Sequence, residues 1–142
     1  DRLLGIADEE EARAIFGRET GVIVRSVAHA DIQHYLALAD LGLLLRDRSS
    51  VNRVASPVKF AEYLACGVPV LVSPGVGDFP DLVAQEGVGY VFREGLQLER
   101  VVFEVRGQRA TLRRRCVEVA ARHFDGDRYL PLYRELVTGR VP

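Results

Sequence analysis

The segment from Arg53 to Gly77 (RVASPVKFAEYLACGVPVLVSPGVG) constrains the fold more than any other part of the chain. Ser56 is a suitable N-cap and Pro57 suits the first helical position, while Gly67 followed by Pro69 predicts a sharp helix end. The apolar run VPVLV that follows is short and continuous, which favours a buried strand. The segment therefore predicts a helix, a tight stop and a strand in succession.

The rest of the chain repeats this alternation. Apolar or β-branched runs predict four more strands, at 2–6, 21–27, 41–45 and 87–92. Helices are predicted at 8–17 (capped by Asp8, with Glu11 three residues on), 31–40 (capped by Asp31), 78–85, 109–123 and 129–137, the last beginning near Pro131. Residues 46–56 are predicted to form a polar loop. Strands alternating with helices predict an α/β fold with a doubly wound, Rossmann-like parallel sheet of about five strands.

Length and composition are ordinary for a soluble domain. At 142 residues the chain is predicted to be a single domain, and its net charge of −1 gives no reason to expect a nucleic-acid or membrane surface. Without a long apolar run or a signal peptide, a cytoplasmic location is expected. The sequence starts at Asp1 and contains no methionine, so a fragment or a processed product is expected.

A ligand site is predicted at one edge of the sheet. In parallel sheets ligands bind beyond the carboxyl ends of the strands, which here places loops 27–31, 46–56 and 73–78 together. Lys59 and Glu62 are three residues apart and share one helix face near the helix start. Helix N-termini bind anions, and a carboxylate one turn further on can accept hydrogen bonds from hydroxyls. These features predict a phosphorylated ligand that carries a sugar.

Other patterns favour structural roles. Gly75 and Gly77 precede a helix and predict a turn, with a spacing too short for a dinucleotide fingerprint. The triplet Asp125-Gly126-Asp127 follows a helix, so a turn is favoured over a metal-binding Asp-x-Asp motif. The cysteines (Cys66 and Cys116) are predicted to pack, and the histidines (His29, His34 and His123) lack partners at metal-ligand spacing, so no metal is expected. The arginines of the long helix (Arg109, Arg113, Arg114 and Arg115) predict a solvated face, with an interdomain or membrane-proximal contact as the alternative.

A family resemblance centres on the same segment. SPVKFAEYLACGVPVLVS, preceded by LADLGLLLRD and followed by GVGDFPDLV, resembles the C-terminal half of the family 4 retaining glycosyltransferases of the group 1 type. The resemblance implies a GT-B enzyme, in which two nucleotide-type domains face each other across a cleft. It implies that residues 1–142 form the nucleotide-sugar-binding domain, without its first strand and without the glycine-rich loop that carries an Arg and a Lys for the diphosphate.

The resemblance also implies roles for two aligned positions. Glu62 matches the second glutamate of the family's paired-glutamate motif, which accepts hydrogen bonds from the ribose hydroxyls. The first glutamate, which holds the donor sugar, would fall eight positions earlier, where this chain has Val54. The resemblance then implies that its role is impaired or is taken by Asn52 or Ser56.

The same resemblance implies contacts for the neighbouring residues. Backbone N–H groups around Pro57, Val58 and Lys59 would face the phosphates or the sugar, although Pro57 itself has no N–H to donate. Lys59 and Arg53 would neutralise charge on the leaving group. The segment that cradles the base matches Val27, Ala28 and His29, and Gly75 and Gly77 would face the donor or the acceptor.

The activity that the resemblance implies is transfer of a glycosyl group with retention of anomeric configuration. The donor would be a UDP- or GDP-sugar, used without a metal or other cofactor, and the acceptor would be a glycan or lipid-linked glycan bound through an N-terminal domain. Bacterial polysaccharide or glycoconjugate synthesis is expected, with a peripheral membrane contact of the full-length enzyme and no activity of this chain alone. No residue stands out as a nucleophile or general base. The alternatives are another nucleotide-sugar enzyme, such as a 2-epimerase, and a non-catalytic α/β interaction module.

Overall fold

The computed structural model describes residues 3–5, 22–24, 27–47, 49–54 and 58–138. The chain divides into two compact units, Asp1–Tyr35 and Leu36–Pro142. The helix predicted at 8–17, Ser56 and Pro57 lie outside the described residues.

The first unit contains two parallel strands. Strands β1 (Leu3–Gly5) and β2 (Val22–Val24) pair in register, with Leu4 opposite Ile23. A 3₁₀ turn at His29–Asp31 leads into helix α1 (Ile32–Leu36). The predicted end of this helix at residue 40 is wrong, since α1 ends at Leu36. Asp31, predicted to be its cap, is the last residue of the 3₁₀ turn, where its N–H bonds to Ala28 O at 2.9 Å.

The second unit is built on three parallel strands. These are β3 (Gly42–Leu44), β4 (Val70–Val72) and β5 (Gly89–Val91), in the spatial order β3-β4-β5. Leu43 pairs with Leu71, which pairs in turn with Tyr90. Each of the five predicted strand segments thus contains a strand, and the predicted α/β class with parallel strands is confirmed.

Six helices are described in the second unit after β3. They are α2 (Ser50–Arg53), α3 (Val58–Ala65), α4 (Phe79–Glu86), α5 (Leu98–Gly107), α6 (Arg109–His123) and α7 (Gly126–Thr138). The long helix α6 has the predicted bounds, whereas α2 lies inside the segment predicted to be an irregular loop. The end of α3 is also as predicted: Gly67 adopts φ +74°, and the Val68 N–H bonds to Tyr63 O at 2.8 Å.

The start of α7 differs from its prediction. Pro131 lies inside the helix rather than at its beginning. The helix starts earlier because Asp125 acts as its N-cap: its Oδ1 accepts a hydrogen bond from the Asp127 N–H at 3.0 Å. The Asp-Gly-Asp triplet therefore forms the entry to a helix, in agreement with its interpretation as a turn.

Helices cover both faces of the three-stranded sheet. Neighbouring residues of a strand point to opposite faces, and Val91 packs with one hydrophobic cluster while Tyr90 packs with the other. The cluster on the Val91 side contains buried residues of α3, α4 and α6, whereas the cluster on the Tyr90 side contains Val101, Val105 and Leu112. The sheet of the second unit is thus wound on both sides, as predicted.

Candidate functional site

The carboxyl ends of β3 and β4 are joined by hydrogen bonds. The Arg46 N–H donates to Ser73 Oγ at 2.5 Å, and the Ser73 N–H donates to Leu44 O at 3.1 Å. Ser73 is buried, with 6% of its surface exposed. The two loops that leave these strands therefore start from fixed positions.

Asn52 on α2 connects these two loops. Its Nδ2 donates to Asp47 O at 3.0 Å and to Asp47 Oδ1 at 2.8 Å, while its Oδ1 accepts from Arg46 Nη1 at 3.1 Å. Its backbone carbonyl accepts from the Gly77 N–H at 3.0 Å. Because Asn52 is only 8% exposed and its amide is bonded within the protein, the geometry does not favour it as a substitute for a sugar-holding glutamate.

The loop after β4 is held at three points. Ser73 and Gly77 hold it by the hydrogen bonds given above, and the side chain of Val76 is fully buried in the core. Gly75 and Gly77 have φ values of +83° and +50°, which side chains rarely adopt, so glycine is required at these turns. The loop leads directly into α4, whose N-cap is Asp78.

Helix α3 presents a buried face and an outer face. Phe60 and Leu64 are fully buried, Lys59 is exposed, and Glu62 is partly buried. Because α3 is the crossover between β3 and β4, its first turn lies toward the carboxyl edge of the sheet. The N–H groups of that turn, which have no partner within the helix, lie on the same side as the loops joined by Asn52.

The negative charge of Glu62 affects its neighbours on α3. Burial chiefly, and then the charge of Glu62, raises the pKa of Tyr63. The same two causes in the same order raise the pKa of the Cys66 thiol, and the charge of Arg113 opposes them. The carboxylate of Glu62 is therefore close enough to Tyr63 and Cys66 to affect both groups.

Glu62 differs from the comparable carboxylates. Within the described ranges four carboxylate residues are partly buried, namely Asp40, Glu62, Glu86 and Glu104. Three of them are paired with arginine: Asp40 with Arg106 and Arg109, Glu86 with Arg122, and Glu104 with Arg100. The carboxylate of Glu62 has neither an ion pair nor a hydrogen bond to any residue that the structure describes, Lys59 included. Its oxygens are thus available to an incoming donor.

In the described part of the chain, four cations with neither a carboxylate nor a backbone carbonyl as hydrogen-bond partner follow the carboxyl ends of the strands. They are Arg46, Arg53 and Lys59, which follow β3, and Arg93, which follows β5. The arginines of α5 and α6 are instead bonded to carboxylates or, for Arg113 and Arg115, to the carbonyls of Ala37 and Gly87. Four positive charges without a carboxylate partner among the described residues therefore lie on the side of the predicted site.

The other predicted site residues fall into two groups. Arg53, Val54 and Val58 are exposed in the second unit, with Val54 84% exposed directly after α2. Val27 is partly buried, and Ala28 and His29 are exposed at the 3₁₀ turn of the first unit. The structure therefore brings loops 46–54 and 73–78 and the start of α3 together, and the contacts implied for 27–29 stay predictions.

Arg46 was missed as a candidate by sequence reasoning. The available signal was a polar run, RDRSSVN, that directly follows a buried strand and contains one asparagine. No cluster of three or more His, Cys, Asp or Glu side chains that could hold a metal occurs among the described residues. No helix in these ranges is long and apolar enough to cross a bilayer.

Comparison with known proteins shows a shared fold. No protein-family model matches the sequence, and no curated protein matches it. Among solved structures the chain is similar to WaaG, a glycosyltransferase involved in lipopolysaccharide biosynthesis, with a TM-score of 0.65 and 20% sequence identity. The match covers 96% of this chain but only 37% of the WaaG chain. At this identity the likeness shows a common α/β architecture, and the present chain spans little more than a third of that structure.

Proposed function

We propose that this chain is the donor-binding domain of a retaining glycosyltransferase and that Glu62 binds the ribose of a nucleoside diphosphate sugar. The observation that carries the proposal is the free, partly buried carboxylate of Glu62 on a helix that starts at the carboxyl edge of a parallel sheet. An ionised carboxylate can only accept hydrogen bonds, which suits vicinal hydroxyls. The fold shared with WaaG supports the class of enzyme.

The diphosphate would be bound at the start of α3. The N–H groups of its first turn, which have no partner within the helix, provide fixed positive dipoles. The exposed Lys59 and Arg53 have no carboxylate that neutralises them in the described part of the chain. In glycosyl transfer negative charge accumulates on the departing nucleoside diphosphate. Fixed dipoles and cations directed at that charge lower the barrier without a metal.

The acceptor would be bound outside this chain. We propose a glycan or lipid-linked glycan as acceptor, held by a second nucleotide-type domain, in bacterial polysaccharide or glycoconjugate synthesis in the cytoplasm, with a peripheral membrane contact of the whole enzyme. The donor would be a UDP- or GDP-sugar. The family resemblance places a carboxylate for the donor sugar at position 54, where this chain has an exposed valine. The sugar would therefore be bound by other groups.

Calorimetric titration of the protein that contains this chain with UDP and GDP tests the assignment. Removing a hydrogen-bonding carboxylate costs about 1.5–3 kcal/mol, so Glu62→Ala is expected to weaken binding about 10- to 100-fold. Glu99→Ala is the matched control, because Glu99 is exposed on α5 and has no partner among the described residues.

A ribose analogue makes the test specific. The 2′,3′-dideoxy form of the preferred nucleotide is expected to bind wild type weakly, and Glu62→Ala is expected to bind it as well as it binds the parent nucleotide. The role of Glu62 would be refuted if the dideoxy nucleotide lost as much affinity for Glu62→Ala as for wild type. Undiminished binding of the parent nucleotide by Glu62→Ala would refute it as well. Proton NMR of the glycoside product tests retention, because the anomeric configuration of the new linkage can be compared with that of the donor sugar.

A further inference from the structure

Arg46 is fixed at both ends although its side chain is exposed. Its backbone N–H donates to the buried Ser73 Oγ, and its Nη1 donates to Asn52 Oδ1 at 3.1 Å. A guanidinium has five N–H donors, and Asn52 is the only partner of the Arg46 guanidinium among the described residues. Most of its hydrogen-bonding capacity is therefore unused.

The orientation of Asn52 is itself determined by the protein. Its Nδ2 is bonded to both the carbonyl and the carboxylate of Asp47, so its Oδ1 must point to the arginine. The Asp47 carboxylate, the nearest acidic group in sequence, is thereby bonded to an amide rather than to Arg46. A buried amide thus holds a cation in place without neutralising it.

We propose that Arg46 binds an oxyanion of the ligand and that Asn52 is its positioning residue. The proposal rests on the proposed function and extends it, because it assigns a recognition element to the loop after β3. The ligand group is a planar or tetrahedral oxyanion, which a guanidinium binds through two parallel hydrogen bonds. It has two possible sources, the diphosphate of the nucleotide and a carboxylate on the donor sugar.

Titration calorimetry with four probes separates these sources: UDP, GDP, UDP-glucose and UDP-glucuronate. If Arg46 contacts the diphosphate, Arg46→Gln is expected to lower the affinity for every probe about tenfold. If Arg46 contacts a sugar carboxylate, the variant is expected to lower the affinity for UDP-glucuronate only. Arg46→Lys is expected to recover part of the affinity, since the charge remains while the paired donors are lost. Arg114→Gln, which removes an exposed arginine of α6, is the charge-matched control with an expected change below about twofold.

A double-mutant cycle tests the positioning role. If Asn52 acts through Arg46, Asn52→Ala weakens binding to a similar degree as Arg46→Gln, and the double variant binds no more weakly than Arg46→Gln alone. Ser49→Ala is the structural control, because it removes the hydrogen bond from the Asn52 backbone N–H to Ser49 Oγ and leaves the Asn52 side chain in place. Should Asn52→Ala fail to fold, the two Arg46 variants decide the anion contact and Asn52→Ser replaces it in the cycle.

The outcomes separate this inference from the proposed function. Wild-type binding of nucleotides with no loss in Arg46→Gln for any probe overturns the inference and leaves the proposed function intact. Losses that multiply in the double variant overturn the positioning role of Asn52. If wild type binds no nucleotide but binds inorganic pyrophosphate, and Arg46→Gln abolishes that binding, the anion site stands and the proposed function fails. Binding of none of these probes overturns both.

Discussion

Gly89 lies opposite Val70 in the parallel pair of β5 and β4, so close that a Cβ on Gly89 would collide with the backbone of Val70. The neighbouring atoms are main-chain atoms of the central strand, which cannot move aside as a flexible side chain could. We therefore expect Gly89→Ala to destabilise the protein by about 1–3 kcal/mol or more, as overpacking does. Urea unfolding followed by circular dichroism measures the change.

Gly107→Ala is the matched control for this substitution. Gly107 ends α5, and a Cβ there would meet no atom within 4 Å. Alanine stabilises helices relative to glycine by up to about 1 kcal/mol, so this variant should be as stable as wild type or more so. Similar midpoints for the Gly89 and Gly107 variants would contradict the close approach of β5 to β4.

A second prediction concerns Glu86, which joins the end of α4 to the end of α6. Its carboxylate accepts hydrogen bonds from Arg122 Nη2 at 2.7 Å and from His123 Nε2 at 3.2 Å. The hydrogen bond from Arg122 is the main cause, and that from His123 the second, of a Glu86 pKa below its ordinary value of 4.5. Because folding lowers this pKa, the ionised carboxylate stabilises the native state above about pH 4.5, and the contribution is lost as the pH falls through the native pKa.

Melting temperatures across pH check this expectation. Glu86→Gln should melt below wild type at pH 7, and the difference should disappear as the pH is lowered from 4.5 toward 3. Glu118→Gln is the control, since Glu118 forms an exposed pair with Arg114 at 3.7 Å and such pairs contribute little. A Glu86→Gln deficit that persists at pH 3 would show that the group stabilises the fold through packing rather than charge.

The sequence predicts the strands and the larger helices well because their signals are local. Each strand is a continuous apolar run, and the stop at Gly67 depends on neighbouring residues alone. The errors occur where one local hydrogen bond changes the backbone path. Asp125 starts α7 well before Pro131, and the 3₁₀ turn that ends at Asp31 displaces a predicted cap.

The candidate site is predicted only in part, for a different reason. Glu62 and Lys59 are visible because they share one helix face, a local property. The contact between Arg46 and Ser73 joins residues 27 apart in sequence, and the role of Asn52 depends on atoms of Asp47, Arg46 and Gly77 together. Periodicity and capping patterns carry no information on such contacts, so Arg46 could be recognised only in the folded chain.

The two cysteines are expected to differ in reactivity. Burial raises the pKa of Cys116 to about 12, and the residue has no exposed surface. Cys66 is partly buried, and its pKa is raised less. Because the thiolate is the reactive form, iodoacetamide at pH 8 should modify Cys66 slowly in the native protein and Cys116 only after unfolding in urea, as mass spectrometry of the digested protein would show.

The reactivity of Cys66 also reports the charge of Glu62. After burial, the carboxylate of Glu62 is the second cause of the raised Cys66 pKa, so removing that charge lowers the pKa and increases the thiolate fraction. Iodoacetamide should therefore alkylate Cys66 faster in Glu62→Gln than in wild type, and the rate in Glu99→Gln should equal that of wild type. An unaltered rate in Glu62→Gln would mean that the charge of Glu62 does not reach the Cys66 thiol.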